Sequence, residues 1–174
     1  MINYFPITFT NLDVIQQKIL SVILKHTTLE ESKFFYIPVQ EILEIEELRN
    51  QISKIGLLEY IHSSAINLYH KGTPVIHKDT GNFIYSLNIP ISGYANTHLS
   101  YFESHVEPKL KYVGSVSYIE YDKESCTLIE KFETTGPVIV NTQIPHAFEN
   151  FNNEPRLFLL LRLNKQVSSL IWLS

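Results

Sequence analysis

The stretch His77-Lys-Asp-Thr-Gly-Asn-Phe-Ile-Tyr-Ser-Leu-Asn-Ile-Pro90 is a short run, a Gly-Asn turn and then a segment that alternates residue by residue. Gly81 and Asn82 suit a sharp reversal of the backbone. Beyond it, Asn82, Ile84, Ser86 and Asn88 fall on one side of an extended chain, because side chains two apart point the same way. The same texture continues outward from this stretch. From Leu57 onward, β-branched and aromatic runs alternate with Gly, Pro and Asn. The pattern predicts strands over 59–69, 75–77, 83–89, 98–103, 112–121, 127–132, 137–140, 147–151, 156–163 and 167–172. Asp122-Lys-Glu-Ser125 and Asn152-Asn-Glu-Pro155 read as turns. Many short strands at near-regular spacing predict an all-β sandwich or barrel.

Upstream of Leu57 the period changes. Ile15, Ile19, Val22 and Ile23 form one stripe behind a cap at Asn11 or Asp13. After Pro38, Ile42, Ile45, Leu48, Ile52 and Ile55 recur at spacings of three and four, and Glu41, Glu44, Glu46, Glu47, Arg49 and Lys54 fill a solvated face. Gly56 stands where such a helix would stop in a left-handed cap. The fold class expected is mainly β with N-terminal helices. It forms one domain over residues 1–174, with a helical region 1–56 packed on a barrel 57–174.

The 174 residues are enough to bury a core. Ten Tyr and ten Phe against six Gly favour pleated, half-buried surfaces. A net charge of −4, with no basic run, gives no reason to expect a nucleic-acid partner. Cys126 is the only cysteine, so no intrachain disulfide can form and a reducing compartment is expected. The first residues lack the cationic and apolar regions of a secretory signal, and no apolar run approaches the roughly 20 residues that span a bilayer. The expectation is a cytoplasmic protein without a membrane partner, a monomer or a homodimer.

Chemistry concentrates in four residues. His77 and Asp79 lie two apart and so reach one point from a single strand. His146, after Pro145, opens a distant strand. Two histidines and a carboxylate form the set that holds non-haem Fe(II) on one face and leaves the other open. Arg156 follows ten residues later and offers a planar fork for a carboxylate such as that of 2-oxoglutarate. Arg156, Phe158, Leu160 and Arg162 share one face of an apolar strand, and a buried arginine is costly without an anion. Arg156 could instead pair with a glutamate. Arg162, nearer the strand end, is expected to reach solvent. Ser86 and Asn88 either bond a co-substrate or substrate, or satisfy backbone groups at a strand edge. His26, His62, His70, His98 and His105 carry no motif and read as surface or packed residues. Tyr85, Tyr94 and Tyr101 read as packing residues, and Cys126 receives no chemistry.

The segment His77–Pro90, together with Ile144-Pro-His-Ala-Phe-Glu-Asn-Phe-Asn-Asn-Glu-Pro-Arg156, resembles the small Fe(II)/2-oxoglutarate oxygenases related to aspartyl/asparaginyl β-hydroxylase. The likeness covers roughly Asn67 to Leu163. It implies a double-stranded β-helix, the jelly roll of cupin-like barrels. It also implies His77, Asp79 and His146 as iron ligands, Arg156 as the 2-oxoglutarate anchor, and O₂ as co-substrate. Some aspartyl hydroxylases lack the carboxylate ligand and related halogenases replace it with a small residue. Asp79 therefore argues for hydroxylation or desaturation of a C–H bond in a small molecule or amino-acid side chain. Two alternatives stay open. One is a metal-binding cupin of another reaction class, an isomerase or a dioxygenase that needs no co-substrate. The other is a non-catalytic ligand-binding barrel.

Overall fold

The computed structural model describes residues 3–72, 75–81, 83–113, 116–167 and 170. The strands are β1 (Tyr4–Pro6), β2 (Lys33–Ile37), β3 (Ile61–Tyr69), β4 (Ile76–Asp79), β5 (Phe83–Ser92), β6 (Thr97–Ser104), β7 (Lys109–Val113), β8 (Val116–Tyr121), β9 (Cys126–Glu133), β10 (Val138–Asn141), β11 (His146–Asn150) and β12 (Arg156–Asn164). They form two antiparallel sheets, ordered β1-β10-β5-β12-β3-β2 and β7-β8-β4-β11-β6-β9. From β3 to β6, and again from β9 to β12, each successive strand changes sheet. That alternation is the double-stranded β-helix, and β7 and β8 are an antiparallel pair added at one edge.

Three helices precede the barrel strands: α1 (Leu12–His26), α2 (Val39–Leu43) and α3 (Glu46–Lys54). Ile15, Ile19 and Ile23 of α1 are fully buried, as a four-residue spacing requires for one stripe. Asn11 occupies the N-cap position in the left-handed region, but its side chain makes no capping bond. The periodic stretch after Pro38 is two helices, because Ile45 turns extended (ψ 98°) between them. Ile42, Leu48 and Ile52 are nevertheless all buried, so the stripe survives the break. Gly56 is left-handed (φ 72°), and Leu57 N–H donates to the Ile52 carbonyl. Among the described residues, no helix is long and apolar enough to cross a membrane.

Other elements depart from the sequence expectation. β1 and β2 lie inside the region expected to be helical, each as a sheet edge. The expected strand 112–121 is divided between β7 and β8, which pair antiparallel, and residues 114–115 fall outside the described residues. Leu58–Tyr60 is a 3-10 turn before β3. In place of a strand at 167, Lys165–Val167 forms a 3-10 turn. Of the rest of that expected strand, only Leu170 belongs to the described residues.

Two hydrophobic clusters result, one on each face of the first sheet. Leu157, Leu159, Leu161 and Leu163 of β12 are fully buried on the outer face with Leu87, Ile89 and Ile66, and the helix stripes close over them. Each such side chain contributes about 1.5–3 kcal/mol by leaving water. The inner cluster between the sheets is small: Leu99, Tyr101, Val138 and Val140. β10 shows the division cleanly, with Ile139 in the outer cluster and its neighbours Val138 and Val140 in the inner one. The inner cluster does not fill the barrel, and an open volume remains beside it.

Candidate metal centre

The register of the second sheet brings the candidate ligands together. His146 on β11 lies directly opposite His77 on β4, so both imidazoles leave the sheet on one face. Their ring centroids are 4.6 Å apart. Asp79, two residues along β4, places Oδ1 3.8 Å from His77 Nε2. One ligating atom from each of the three residues lies within 4.8 Å of the others.

Backbone carbonyls orient both rings. His77 Nδ1 lies 3.0 Å from the Val75 carbonyl, and His146 Nδ1 lies 2.9 Å from that of Ile144. A carbonyl only accepts, so each Nδ1 donates its N–H, and it is Nε2 that a neutral ring offers to an ion. Burial, reinforced by the neighbouring His77, pushes His146 down to about 4, so it is a neutral donor near pH 7. Two neutral imidazoles and one carboxylate are the donor set a divalent first-row ion takes. Such carbonyl bonds are the usual orienting partners of metal-bound histidines. The residues fit a metal ion.

The segment between the ligands and β5 is pinned from behind. Asp79 N–H donates to the Thr142 carbonyl (3.0 Å), and Thr142 N–H donates to that of Ile84 (2.9 Å). Gln143 Nε2 donates to the carbonyls of Asp79 (3.3 Å) and Phe83 (2.7 Å). Gln143 is a site residue that no sequence motif marks. Its only signal is a polar side chain close before Pro145.

His77, Asp79 and His146 all line one cavity of about 470 Å³ between the sheets. Ser86 and Asn88 line it too, and the Ser86 hydroxyl donates to Asn88 Oδ1 at 2.6 Å. Neither stands at a sheet edge, since β5 runs between β10 and β12. Arg162 also lines the cavity at 6% exposure rather than reaching solvent. β12 is a central strand, and Phe34, Tyr36 and Phe83 surround the guanidinium, their ring centroids 5.1–5.7 Å away. Arg162 Nη2 is 3.6 Å from Asp79 Oδ2, and Nη1 donates to the Tyr36 hydroxyl at 3.2 Å.

Arg156 is placed differently. It is 1% exposed and stacked against Phe148 and Phe158, with centroids 4.2 and 4.0 Å from its guanidinium carbon. Nε and Nη2 have no hydrogen-bond partner, and burial lowers its affinity for the proton to about 9. It is not among the residues that line the cavity. Phe148, which does line it, packs against the guanidinium. The remaining described histidines do not join the centre. His26 meets Glu41 at the surface and His70 bonds Ser32, while His62 and His98 pack near Phe83 and Phe151. Tyr101 belongs to the inner cluster, its ring 6.2 Å from that of His146 and its hydroxyl donating to the Asn3 carbonyl.

No family model and no curated protein matches the chain. Among solved structures it is similar to AviO1 from Streptomyces viridochromogenes Tue57, with a TM-score of 0.51 and 13% identity over 94% of this chain and 90% of that one. It is also similar, with a TM-score of 0.42 and 16% identity, to oxalate decarboxylase from Bacillus subtilis, over 81% of this chain and 28% of that one. The chain thus spans little more than a quarter of that decarboxylase. At these identities the likeness is one of fold alone. The protein has a mainly-β, cupin-type jelly roll, and its barrel carries a His/Asp/His group able to hold a metal ion.

Proposed function

We propose that the protein is an Fe(II)- and 2-oxoglutarate-dependent dioxygenase that hydroxylates or desaturates an unactivated C–H bond of a small molecule or amino-acid side chain. One observation carries the reading. The three candidate ligands sit on one wall of a cavity between the sheets, so an ion they hold has protein on one side and ligand space on the other. The sequence resemblance to oxygenases related to aspartyl/asparaginyl β-hydroxylase points the same way. When bound, Fe(II) with 2-oxoglutarate and O₂ supplies the oxidising power, and 2-oxoglutarate leaves as succinate and CO₂.

The chain's own residues do the rest. His77, Asp79 and His146 hold the ion, their imidazoles aimed by the Val75 and Ile144 carbonyls. Arg156 grips the distal carboxylate of 2-oxoglutarate. Its two unpartnered donors are what a bidentate carboxylate would satisfy, and Phe148, packed against the guanidinium, has to move for the acid to reach it. Ser86 and Asn88 orient the bound acid or its co-reactant from the opposite sheet. Val140, Phe148 and Leu160 give the cavity apolar walls. A volume of about 470 Å³ is in the range of small-ligand sites, room for a five-carbon dicarboxylate and a substrate of similar size.

The test is a visible spectrum recorded without oxygen. Wild type with Fe(II) and 2-oxoglutarate should show the weak charge-transfer band of the chelate. His146→Ala should lose it, and Arg156→Met should bind 2-oxoglutarate far more weakly. Metal bound with no band would move the protein to another cupin chemistry, isomerase or co-substrate-independent dioxygenase. Failure to retain any metal would leave a ligand-binding barrel.

A further inference from the structure

We propose that Arg162 is the anchor for an acid group on the primary substrate, which makes the substrate a small carboxylate. The inference rests on the oxygenase reading and names the substrate class for that same cavity.

Position separates Arg162 from Arg156. Both lie on the inner face of β12, six residues or about 20 Å of backbone apart, and Arg162 lines the cavity where Arg156 stays behind Phe148. Arg162 stands at the Asp79 end, with Nη2 3.6 Å from that ligand's Oδ2. A 2-oxoglutarate that chelates through its keto-acid end carries its distal carboxylate two methylenes farther on. Its anchor must stand off from the ligand set. Arg156, packed against Phe148, whose ring is itself 6.0 Å from that of His146, stands off; Arg162 does not. What Arg162 can hold is a group lying beside the ligand set, where the molecule to be attacked has to be.

The surroundings of Arg162 are built for an oxyanion. In register across three neighbouring strands run Ser63 of β3, Arg162 of β12 and Ser86 of β5, and cross-strand partners share a face. Arg162 Nε and Ser63 Oγ are both buried without a partner. Such orphans are rare in folded proteins and mark places where a ligand supplies the missing bond. The three rings around the guanidinium hold its plane, so little freedom is lost when an acid binds.

Charge points the same way. Among the residues that line the cavity, Lys33 and Arg162 stand against one carboxylate, Asp79, so the lining carries net positive charge before any ion binds, and a divalent ion would add to it. Such a lining favours an acid as the second ligand as well as the first. Glu120, opposite His77 in register, lies outside the cavity lining and is met by the Tyr118 hydroxyl at 3.4 Å.

The experiment uses the anaerobic Fe(II)·2-oxoglutarate protein, with propionate as the smallest acid bearing suitable C–H bonds and propionamide as its neutral counterpart. Propionate should shift the charge-transfer band saturably at about millimolar concentration, and propionamide should not. In Arg162→Met the propionate response should weaken by about tenfold or more while 2-oxoglutarate affinity, read by calorimetry, stays within about threefold of wild type. Arg162→Lys, which keeps the charge and loses the fork, should fall between. A wild-type band that ignores propionate overturns the inference alone, without any variant having to fold. So does an Arg162→Met protein that loses 2-oxoglutarate, since Arg162 would then be the co-substrate's anchor. No band in wild type is the failure of the oxygenase reading itself, and the inference falls with it.

Discussion

The two faces of β12 are made by one run of residues and have opposite characters. On the outer face Leu157, Leu159, Leu161 and Leu163 are fully buried among other aliphatic side chains and the helix stripes. On the inner face Arg156, Phe158, Leu160 and Arg162 bring two guanidinium groups into the barrel, with three of their donor nitrogens unpartnered. Burying apolar area stabilises the fold, whereas burying an unpaired cation costs free energy. A strand that did only structural work would have no use for the second face. The difference shows that the two-residue period assigns stability to one side of the sheet and binding to the other, and that the helices matter because they let the inner face remain polar.

The largest effect that tests this division comes from the outer face. Leu159→Ala removes a fully buried side chain from the large cluster and should lower unfolding stability by about 2–5 kcal/mol. Urea denaturation measures this. The protein that remains folded should bind metal as wild type does. A matching loss of metal affinity at low denaturant would mean that the two faces are mechanically coupled.

Acid should strike the inner face first. His146 is held at about 4, below its ordinary 6.5, so in the metal-free protein the unfolded chain takes up its proton before the folded one does. Stability from this residue is complete above pH 6.5. It falls as pH drops from 6.5 to about 4, by roughly 3 kcal/mol in all, and changes no further below that. Denaturation midpoints across this window should fall in wild type and flatten in His146→Gln. Bound metal should oppose the fall, since the ligands must be unprotonated to bind.

Gly93 joins the two regions. It is left-handed (φ 61°), and a Cβ there would sit 2.1 Å from the Pro155 carbonyl oxygen, next to Arg156. Gly93→Ala therefore has to push back the beginning of β12. A cost of about 2–3 kcal/mol is expected, together with weakened 2-oxoglutarate binding, read by calorimetry. Intact binding in a destabilised protein would show that Arg156 tolerates the displacement.

Much of this was legible in the residues, and the rest was hidden for physical reasons. β5 and β12 read as strands because alternation and apolar runs are local properties. His77 with Asp79 read as a pair because two residues of one strand share a side. β1 and β2 were illegible: three residues ending in Pro6, and the run Lys-Phe-Phe-Tyr-Ile, carry no alternation of their own and become strands by adding to sheet edges. The break at Ile45 leaves the buried stripe intact, so periodicity could not reveal it. Arg162 was the instructive case. Its place near a strand's end suggested solvent, but its cover comes from Phe34 and Tyr36, far away in the chain. The pairing of His146 with His77, and the way Gln143 ties down the segment after Asp79, are likewise products of register that no local pattern encodes.

The smallest expected effect is the one most diagnostic of the inner face. Arg156 is fully buried, yet Nε and Nη2 bond to nothing and the nearest groups are the rings of Phe148 and Phe158. Ring contacts return part of the desolvation cost of the cation and not all of it. Arg156→Met keeps the length and apolar character of the side chain and removes the charge. In the ligand-free protein it should leave stability unchanged or raise it by about 1–2 kcal/mol, the sign opposite to that of Leu159→Ala three residues along the same strand. Thermal unfolding with and without 2-oxoglutarate makes the reading quantitative. Wild type should gain stability from the acid, Arg156→Met should not, and the two curves should cross as the acid is added. If Arg156→Met instead destabilises the ligand-free protein by as much as Leu159→Ala, Arg156 is a packing residue, and the inner face of β12 differs from the outer one in composition only.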